Sequence, residues 1–382
     1  MDVLGNLDAL TDEISARAGE AEEARRLPAD LAAKLAETGA FRLLVPSYLG
    51  GLESDPMTAL RAIEKVARAD SSTGWCVMIA STTAVTSAYL PKDIAQPIYG
   101  DAGAITGGVF APKGQAVLEG ENYRVNGHWN WASGSTHCNW LMGGCVVMEG
   151  GKPKLLESGI PDARMMIFPA DDVELLDTWF VVGQSGTGSG DMVAKDVLVP
   201  KARSVSLMVD KPQSDSPLYL FPVFGFLALG ICAVALGNAR GAMDDFLALA
   251  HVKTPQGSSK VLAGKSQTQV EVSKAEAALS SARAFVFSEV ERAWEKAKTD
   301  GEMTLETRAK LRLAATHAVR TAADVTRVLY DLGGGSSVFL ASPLQRRFRD
   351  AHVATAHIMV APATLELTGR ALLGLDTDST FL

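Results

Sequence analysis

Cysteine is scarce: the 382 residues hold Cys76, Cys138, Cys145 and Cys232, with no CxxC pair among them. That excludes a disulfide-stapled scaffold and the usual zinc knuckle, and predicts reduced thiols in a cytoplasmic protein. Basic residues are also few, 36 Lys and Arg against 44 Asp and Glu, and scattered without a block. A net charge of −8 leaves nothing to neutralise phosphates, so nucleic acid is not the expected partner. The N-terminal MDVLGNLDALTDEISARAGEAEEARR lacks the basic-then-apolar layout of a signal peptide. Repeats and low-complexity tracts are missing too.

What is present is a globular composition, 47% hydrophobic and 21% charged, in a chain too long for one core. One run, LYLFPVFGFLALGICAVALG from Leu218 to Gly237, is twenty residues without a charge. Pro222 and three glycines interrupt it and no aromatic belt or basic flank follows, so the run predicts a buried bundle helix rather than a membrane span.

Periodicity divides the chain in three. Leu27 to Thr38 reads as a helix stopped by Gly39, and Asp55-Pro56 as a cap opening a helix with Leu60, Ile63, Val66 and Ala67 on one face. From about Gly100, Gly, Val and Thr alternate in short runs, and Asn126-Gly127 reads as a tight turn. Four long helices are expected after Pro217: the apolar run, Gln267–Lys298, Leu305–Leu332 capped by Thr304, and a last one over Pro343–Leu373. The expectation is an α+β chain: an N-terminal α-helical domain (1–100), a central β-barrel or sandwich (101–205) and a C-terminal four-helix bundle (206–382).

The densest chemistry is GHWNWASGSTHCNW, residues 127–140. As a metal site it reads poorly, because adjacent His137 and Cys138 on a strand point to opposite faces. The runs Gly186–Asp191 and Gly333–Ser337 lack the strand-before, helix-after setting of a dinucleotide fingerprint and read as turns or caps. A flavin wall fits better: Trp129 and Trp131 would share one strand face, with the Ser133 hydroxyl continuing it. A plain aromatic strand packed on the bundle fits the same periodicity.

LPADLAAKLAETGAFRLLVPSYLGG, ARADSSTGW, YRVNGHWNWASG, GTGSGDMVAKDVLVP and PLQRRFRDAH, in that order, resemble the acyl-CoA dehydrogenase fold family of flavoproteins over nearly the whole chain. The resemblance implies the same three-part fold and a homotetramer. The dehydrogenases of the family abstract a proton with a glutamate just past an Arg-Asp-Ala stretch, or early in the bundle. Here Arg349-Asp350-Ala351 is followed by HVATAHIMVAPAT, no acid comes before Glu366, and Leu218–Asn238 has none. TGGVFAPKG (106–114) stands where the dehydrogenases carry Thr-Glu-Pro.

The sequence is more similar to the group D flavin monooxygenases, the oxygenase components of two-component aromatic hydroxylases. That resemblance implies reduced FMN or FAD supplied by a separate reductase, O2, and a flavin hydroperoxide kept dry. It implies Trp131, Ser133 and Gly134 against the flavin, Ser133 steadying the oxygenated ring, and His357 acting on a phenolic substrate. Trp75, Ser81, Thr82 and Thr83 would line the substrate pocket, without the further histidine that phenol hydroxylases of the branch often carry. Ser258, Ser259 and Lys260 are candidates for the flavin phosphate, in a loop lacking the family's usual arginine. Hydroxylation of a small aromatic by a soluble flavin enzyme is the leading expectation. An acyl-CoA dehydrogenase or oxidase with an unlocated base and a non-catalytic flavin-fold protein are the alternatives.

Overall fold

Two aspartates decide where the central N-terminal helices begin. Asp55 accepts the Thr58 amide and precedes Pro56 in the first turn, as the Asp-Pro pair predicts. Asp70 accepts the Thr73 amide and opens a helix that is buried on every side. The computed structural model describes residues 1–378, 380 and 382. Its N-terminal helices are α1 (Val3–Asp8), α2 (Thr11–Ala16), α3 (Ala18–Ala24), α4 (Ala29–Glu37), α5 (Pro56–Ala69), α6 (Ser71–Ala84) and α7 (Lys92–Tyr99). Gly39, at φ +83°, stops the chain just past α4 as expected.

The strands follow: β1 (Thr106–Glu119), β2 (Asn122–Trp129), β3 (Trp140–Glu149), β4 (Lys152–Pro153), β5 (Ala163–Pro169), β6 (Glu174–Leu176), β7 (Asp191–Pro200) and β8 (Ser204–Val205). They form one mixed sheet in the order β6-β7-β2-β1-β3-β5-β8, with β4 beside β3. Only β1 and β3 run parallel; the remaining pairs are antiparallel. The Asn126-Gly127 pair is not a turn. It lies inside β2, where the register against β7 shifts, and both ends of the Asn126 amide bond to Asp196. Cross-strand partners absorb the local bend of the pair into a bulge; the β1–β2 reversal is at Gly120-Glu121, where the Gly-Glu-Asn stretch itself reads as a turn between strands.

Trp129 is the hub of the sheet's buried face. Its ring is inaccessible to solvent, its indole N–H donates to the Gly144 carbonyl at 2.8 Å, and Phe168, Leu141 and Met192 share its cluster. Three glycines on three strands make room for it. A Cβ at Gly114, Gly127 or Gly143 would sit 2.4, 2.2 or 2.6 Å from ring atoms.

The C-terminal helices are α8 (Val223–Val252), α9 (Ser266–Asp300), α10 (Leu305–Gly333), α11 (Pro343–Ala354) and α12 (Ala363–Leu372). Helix α8 has the length and hydropathy to cross a membrane, yet 89% of its most apolar window is buried in the protein. It shares one core with α5, α6 and α10, so the helices at the two ends of the chain form a single hydrophobic body. Arg347 on α11 clamps that body, donating to the Ala67 and Ala69 carbonyls and to Asp245.

The last expected helix is broken. Thr355 caps α11, a 3-10 turn spans Ile358–Val360, and α12 starts after Pro362, whose ring removes a helical N–H. His357 therefore sits in a break between helices rather than on a helix face.

Replacing Gly127 with alanine forces a methyl into the Trp129 ring. Urea denaturation is expected to show a loss of about 1–3 kcal/mol for Gly127→Ala, with little change for Gly335→Ala, whose Cβ would meet open space at an ordinary φ; equal effects would show that the cradle is slack.

Candidate active site

Strand alternation stops at Trp129, which puts the two tryptophans on opposite sides of the wall. Trp131 takes a left-handed φ of +67° and is 67% exposed, so the expected shared face does not exist. An exposed aromatic held in a strained backbone is a recurrent mark of a ligand contact. Lys113 covers one side of the ring, 5.4 Å from its centroid, and is fixed by Asn130.

The turn after Trp131 is bound to the loop at 184–190. Ala132 donates to the Gly190 carbonyl and Gly134 to the Thr187 carbonyl, at 2.9 and 2.8 Å. Between these bonds lies Ser133, almost fully buried. Its hydroxyl accepts the Trp75 indole N–H at 3.2 Å and lies 2.6 Å from Ser189, which lies 2.7 Å from Thr187. Proton order along this chain is fixed at one end, because the Thr187 hydroxyl donates to the Gln184 carbonyl at 2.6 Å. Ser189 must then donate to Thr187, and Ser133 to Ser189. Ser133 has spent its proton and offers one free lone pair. The Gly186–Asp191 run, read from sequence as a simple turn, is thus the support of Ser133; Ser189 and Thr187 carried no signal beyond their place in it.

Asp350 anchors the loop from below. Its carboxylate accepts the Gln184 amide at 2.6 Å, and the Gln184 side chain reaches Ser71 at 2.6 Å. Burial, reinforced by nearby Asp70, raises the Asp350 pKa to about 7.

His357 comes from the helix break, and its ring lies 5.8 Å from that of Trp75. Its Nδ1 accepts the Met359 amide at 3.2 Å, so the neutral ring carries its proton on Nε2. Burial first, then the charge of Arg312, lower its pKa to about 4. Ser133, Trp75 and His357 therefore meet, each from a different third of the chain. The other expected residues do not join them. Ser81, Thr82 and Thr83 are fully buried in α6, and their hydroxyls donate to the carbonyls of Ala40, Met78 and Ile79. A uniformly apolar helix leaves these hydroxyls backbone carbonyls as partners.

Ser258, Ser259 and Lys260 lie just beyond the C-terminal end of α8, where Ser258 bonds to the Lys260 backbone. His357 lies by the other end, since Arg312 beside it donates to the Phe224 carbonyl. The intervening 30-residue helix is about 45 Å long, too far for one flavin to touch both within a chain. His137 and Cys138 are in a 3-10 turn and its cap, not on a strand as the metal argument assumed. His137 packs against Phe41, and the Cys138 thiol donates to the Gly134 carbonyl. Among the described residues, no group of three or more His, Cys, Asp and Glu is arranged for a metal. A cavity of about 820 Å³ opens elsewhere, lined by Leu27, Ala32, Arg42, Ile105 and His137, and none of Ser133, Trp75 and His357 borders it.

Comparison with known proteins fits this geometry. Residues 8–90 match the acyl-CoA dehydrogenase N-terminal domain and 229–362 the C-terminal domain. The indole-3-acetate monooxygenase of Pseudomonas putida is 33% identical over 96% of this chain and 92% of its own. The oxygenase subunit HsaA of a flavin-dependent monooxygenase from Rhodococcus jostii is 30% identical, with 92% of each chain covered. The chain belongs to the flavin-dependent monooxygenases of the acyl-CoA dehydrogenase fold.

The crystal structure of 3-HSA hydroxylase from Rhodococcus sp. RHA1 superposes on this monooxygenase with a TM-score of 0.92 at 28% identity, covering 100% and 99% of the two chains. An FADH2-dependent resorcinol hydroxylase, oxygenase component, from Rhizobium sp. is 26% identical over 98% of the chain and 94% of its own. The fold is the expected α+β arrangement, and the enzyme is an oxidoreductase. The dehydrogenase alternative gives way, and the acid-free segments agree: α8 has no carboxylate before Asp244, and none lies between Asp350 and Glu366.

Two outcomes test the anchoring. The folded Asp350 holds its proton to about pH 7 and an ordinary aspartate only to 3.8. The folded state therefore binds the extra proton, and stability falls as pH rises through that window. Asp350→Asn keeps the acceptor for Gln184 and is expected to flatten this slope, gaining about 1–3 kcal/mol at pH 8 and nothing near pH 4; an unchanged pH profile in thermal melts would refute the assignment. Ser189→Ala releases the Ser133 proton, and oxidised flavin is expected to gain affinity relative to reduced flavin by about 3- to 10-fold, in anaerobic titrations read by flavin absorbance.

Proposed function

We propose that this monooxygenase is the oxygenase component of a two-component system that hydroxylates a small aromatic substrate. Reduced FMN or FAD would come from a separate reductase. The observation that carries the reading is the wiring of Ser133, whose one free lone pair is an acceptor two residues from the solvent-exposed ring of Trp131. A reduced isoalloxazine bears an N–H where the oxidised ring has only an acceptor, so the site suits the reduced form. When bound, reduced flavin supplies the two electrons that, with O2 and a proton, turn an aromatic C–H into C–OH and release water.

The protein's own groups supply the rest. Trp131, Ser133 and Gly134 would hold the flavin edge, and the burial of Ser133 and Trp75 excludes water that would otherwise divert the oxygen to peroxide. His357 would present its Nε2–H to an oxygen at the reacting ring and orient it. With Nδ1 engaged and a pKa near 4, it is a donor at neutral pH rather than a base. Indole-3-acetate and resorcinol, which name two relatives, are the guide to substrate size.

The three parts of the chain, 1–100, 101–205 and 206–382, would act as one unit in a homotetramer in the cytoplasm. Exposed Val338, Phe339 and Leu340 form an apolar surface for assembly, and four free cysteines suit a reducing compartment. Ser258, Ser259 and Lys260 would reach a flavin phosphate only across such an interface.

With reduced flavin, O2 and indole or phenol probes, product per flavin oxidised is expected to fall at least 10-fold in Ser133→Ala while peroxide rises to match. His357→Ala is expected to lose about 10²-fold in product formation. The acid limb of the wild-type rate should lie near pH 4–5, not at the ordinary histidine value of 6.5. Failure to bind either reduced flavin would favour a non-catalytic protein, and bleaching of a bound oxidised flavin by acyl-CoA would restore the dehydrogenase reading.

A further inference from the structure

Arg312 is among the largest fully buried side chains of the protein, with only 2% of its surface exposed. Buried arginines are ordinarily matched by a carboxylate. This one is not: its single hydrogen bond goes to the Phe224 carbonyl at 3.1 Å, and its Nε has no partner. Among the described residues, no acid lies within ion-pair distance of it.

Two further arginines stand within eight residues of it on the same helix. Arg308, Arg312 and Arg320 follow at four- and eight-residue steps on one face of α10, beneath the break that carries His357. Arg308 donates to a main-chain oxygen of Leu382 and Arg320 to the Thr355 carbonyl, and the Arg320 Nε is also unpartnered. Burial, together with Arg308, lowers the Arg312 pKa to about 10, and Arg312 in turn depresses His357. The walls contributed by α6, by the first half of α8 and by residues 351–365 contain no Asp or Glu. The absence that removes the proton-abstracting base of a dehydrogenase thus leaves a desolvated cation beside the reacting position.

We propose that the substrate is an aromatic carboxylic acid whose carboxylate pairs with the guanidinium of Arg312 next to His357. The inference rests on the monooxygenase reading and names the substrate class for that same site. A planar fork with a free Nε matches a carboxylate bidentately. A phosphate dianion would call for a second cation at the same spot; Arg308 is engaged with Leu382, and Arg320 lies eight residues, about 12 Å, further along α10. The aromatic part has Trp75 and Phe224 near the same two residues. The acid sets register: with its carboxylate fixed on Arg312 and its ring near His357, one ring position faces the oxygen donor on the Ser133 side.

The test is equilibrium binding to the full-length protein, with and without reduced flavin under anaerobic conditions. The probes are phenylacetate and 2-naphthylacetate, each against its primary amide. Wild type is expected to bind at least one acid 10-fold or more tighter than its amide. Arg312→Met should abolish that preference while leaving amide affinity within about 3-fold, and Arg312→Lys should retain part of it. Thermal melts without ligand should show Arg312→Met at least as stable as wild type, because it removes an unpaired buried charge. Equal binding of acids and amides by wild type, or persistence of the preference in Arg312→Met, overturns the proposal; the wild-type comparison decides even if the methionine variant does not fold. Reduced-flavin binding with no acid preference removes Arg312 alone, whereas loss of reduced-flavin binding removes the monooxygenase reading.

Discussion

The site depends on two backbone hydrogen bonds, from Ala132 to Gly190 and from Gly134 to Thr187. They tie the turn that leaves β2 to the loop that enters β7, and the side chains between them have no freedom to choose partners. Ser133 is locked between Trp75 and Ser189 because the two loops are locked together. The lower end of the loop is held by α11, through the Asp350 carboxylate at Gln184 and the Arg349 guanidinium at the Val182 carbonyl. A wall that presents a cofactor has to be stiffer than the cofactor's own contacts can make it, and here the stiffness is in the main chain.

Absence of acid is the second constraint. No Asp or Glu lies in α6, in the first half of α8 or between Asp350 and Glu366. This property bars α-proton abstraction by a glutamate and leaves Arg312 uncompensated, while burial and then Arg312 keep His357 neutral. The chemistry is specified as much by what is excluded as by the groups that remain.

The caps at Asp55 and Thr304 were legible in the sequence because each acts on an amide three residues away. So was the α–β–α order, which follows from period and composition. Asn126-Gly127 misled because the partner that absorbs it, Asp196, is distant in sequence. The break at His357 was hidden because the apolar spacing of Pro343–Leu373 continues across it, and only Pro362 hints at the interruption. At the site, Ser133, Trp75 and His357 were nameable by resemblance. The Ser189–Thr187 chain and Arg312 were not, because a hydroxyl in a glycine loop and an arginine on an amphipathic helix look ordinary until their partners, or lack of them, are seen.

Trp129 and Trp131 are two residues apart and face opposite environments, one sealed among glycines and the other open to solvent. Light emitted by the first reports on the integrity of the sheet. Emission from the second lies where a yellow chromophore would quench it. The backbone twist that prevents the pair from forming one aromatic face thus gives the two rings different optical environments, which variants of this six-tryptophan chain that keep only one of them would report separately.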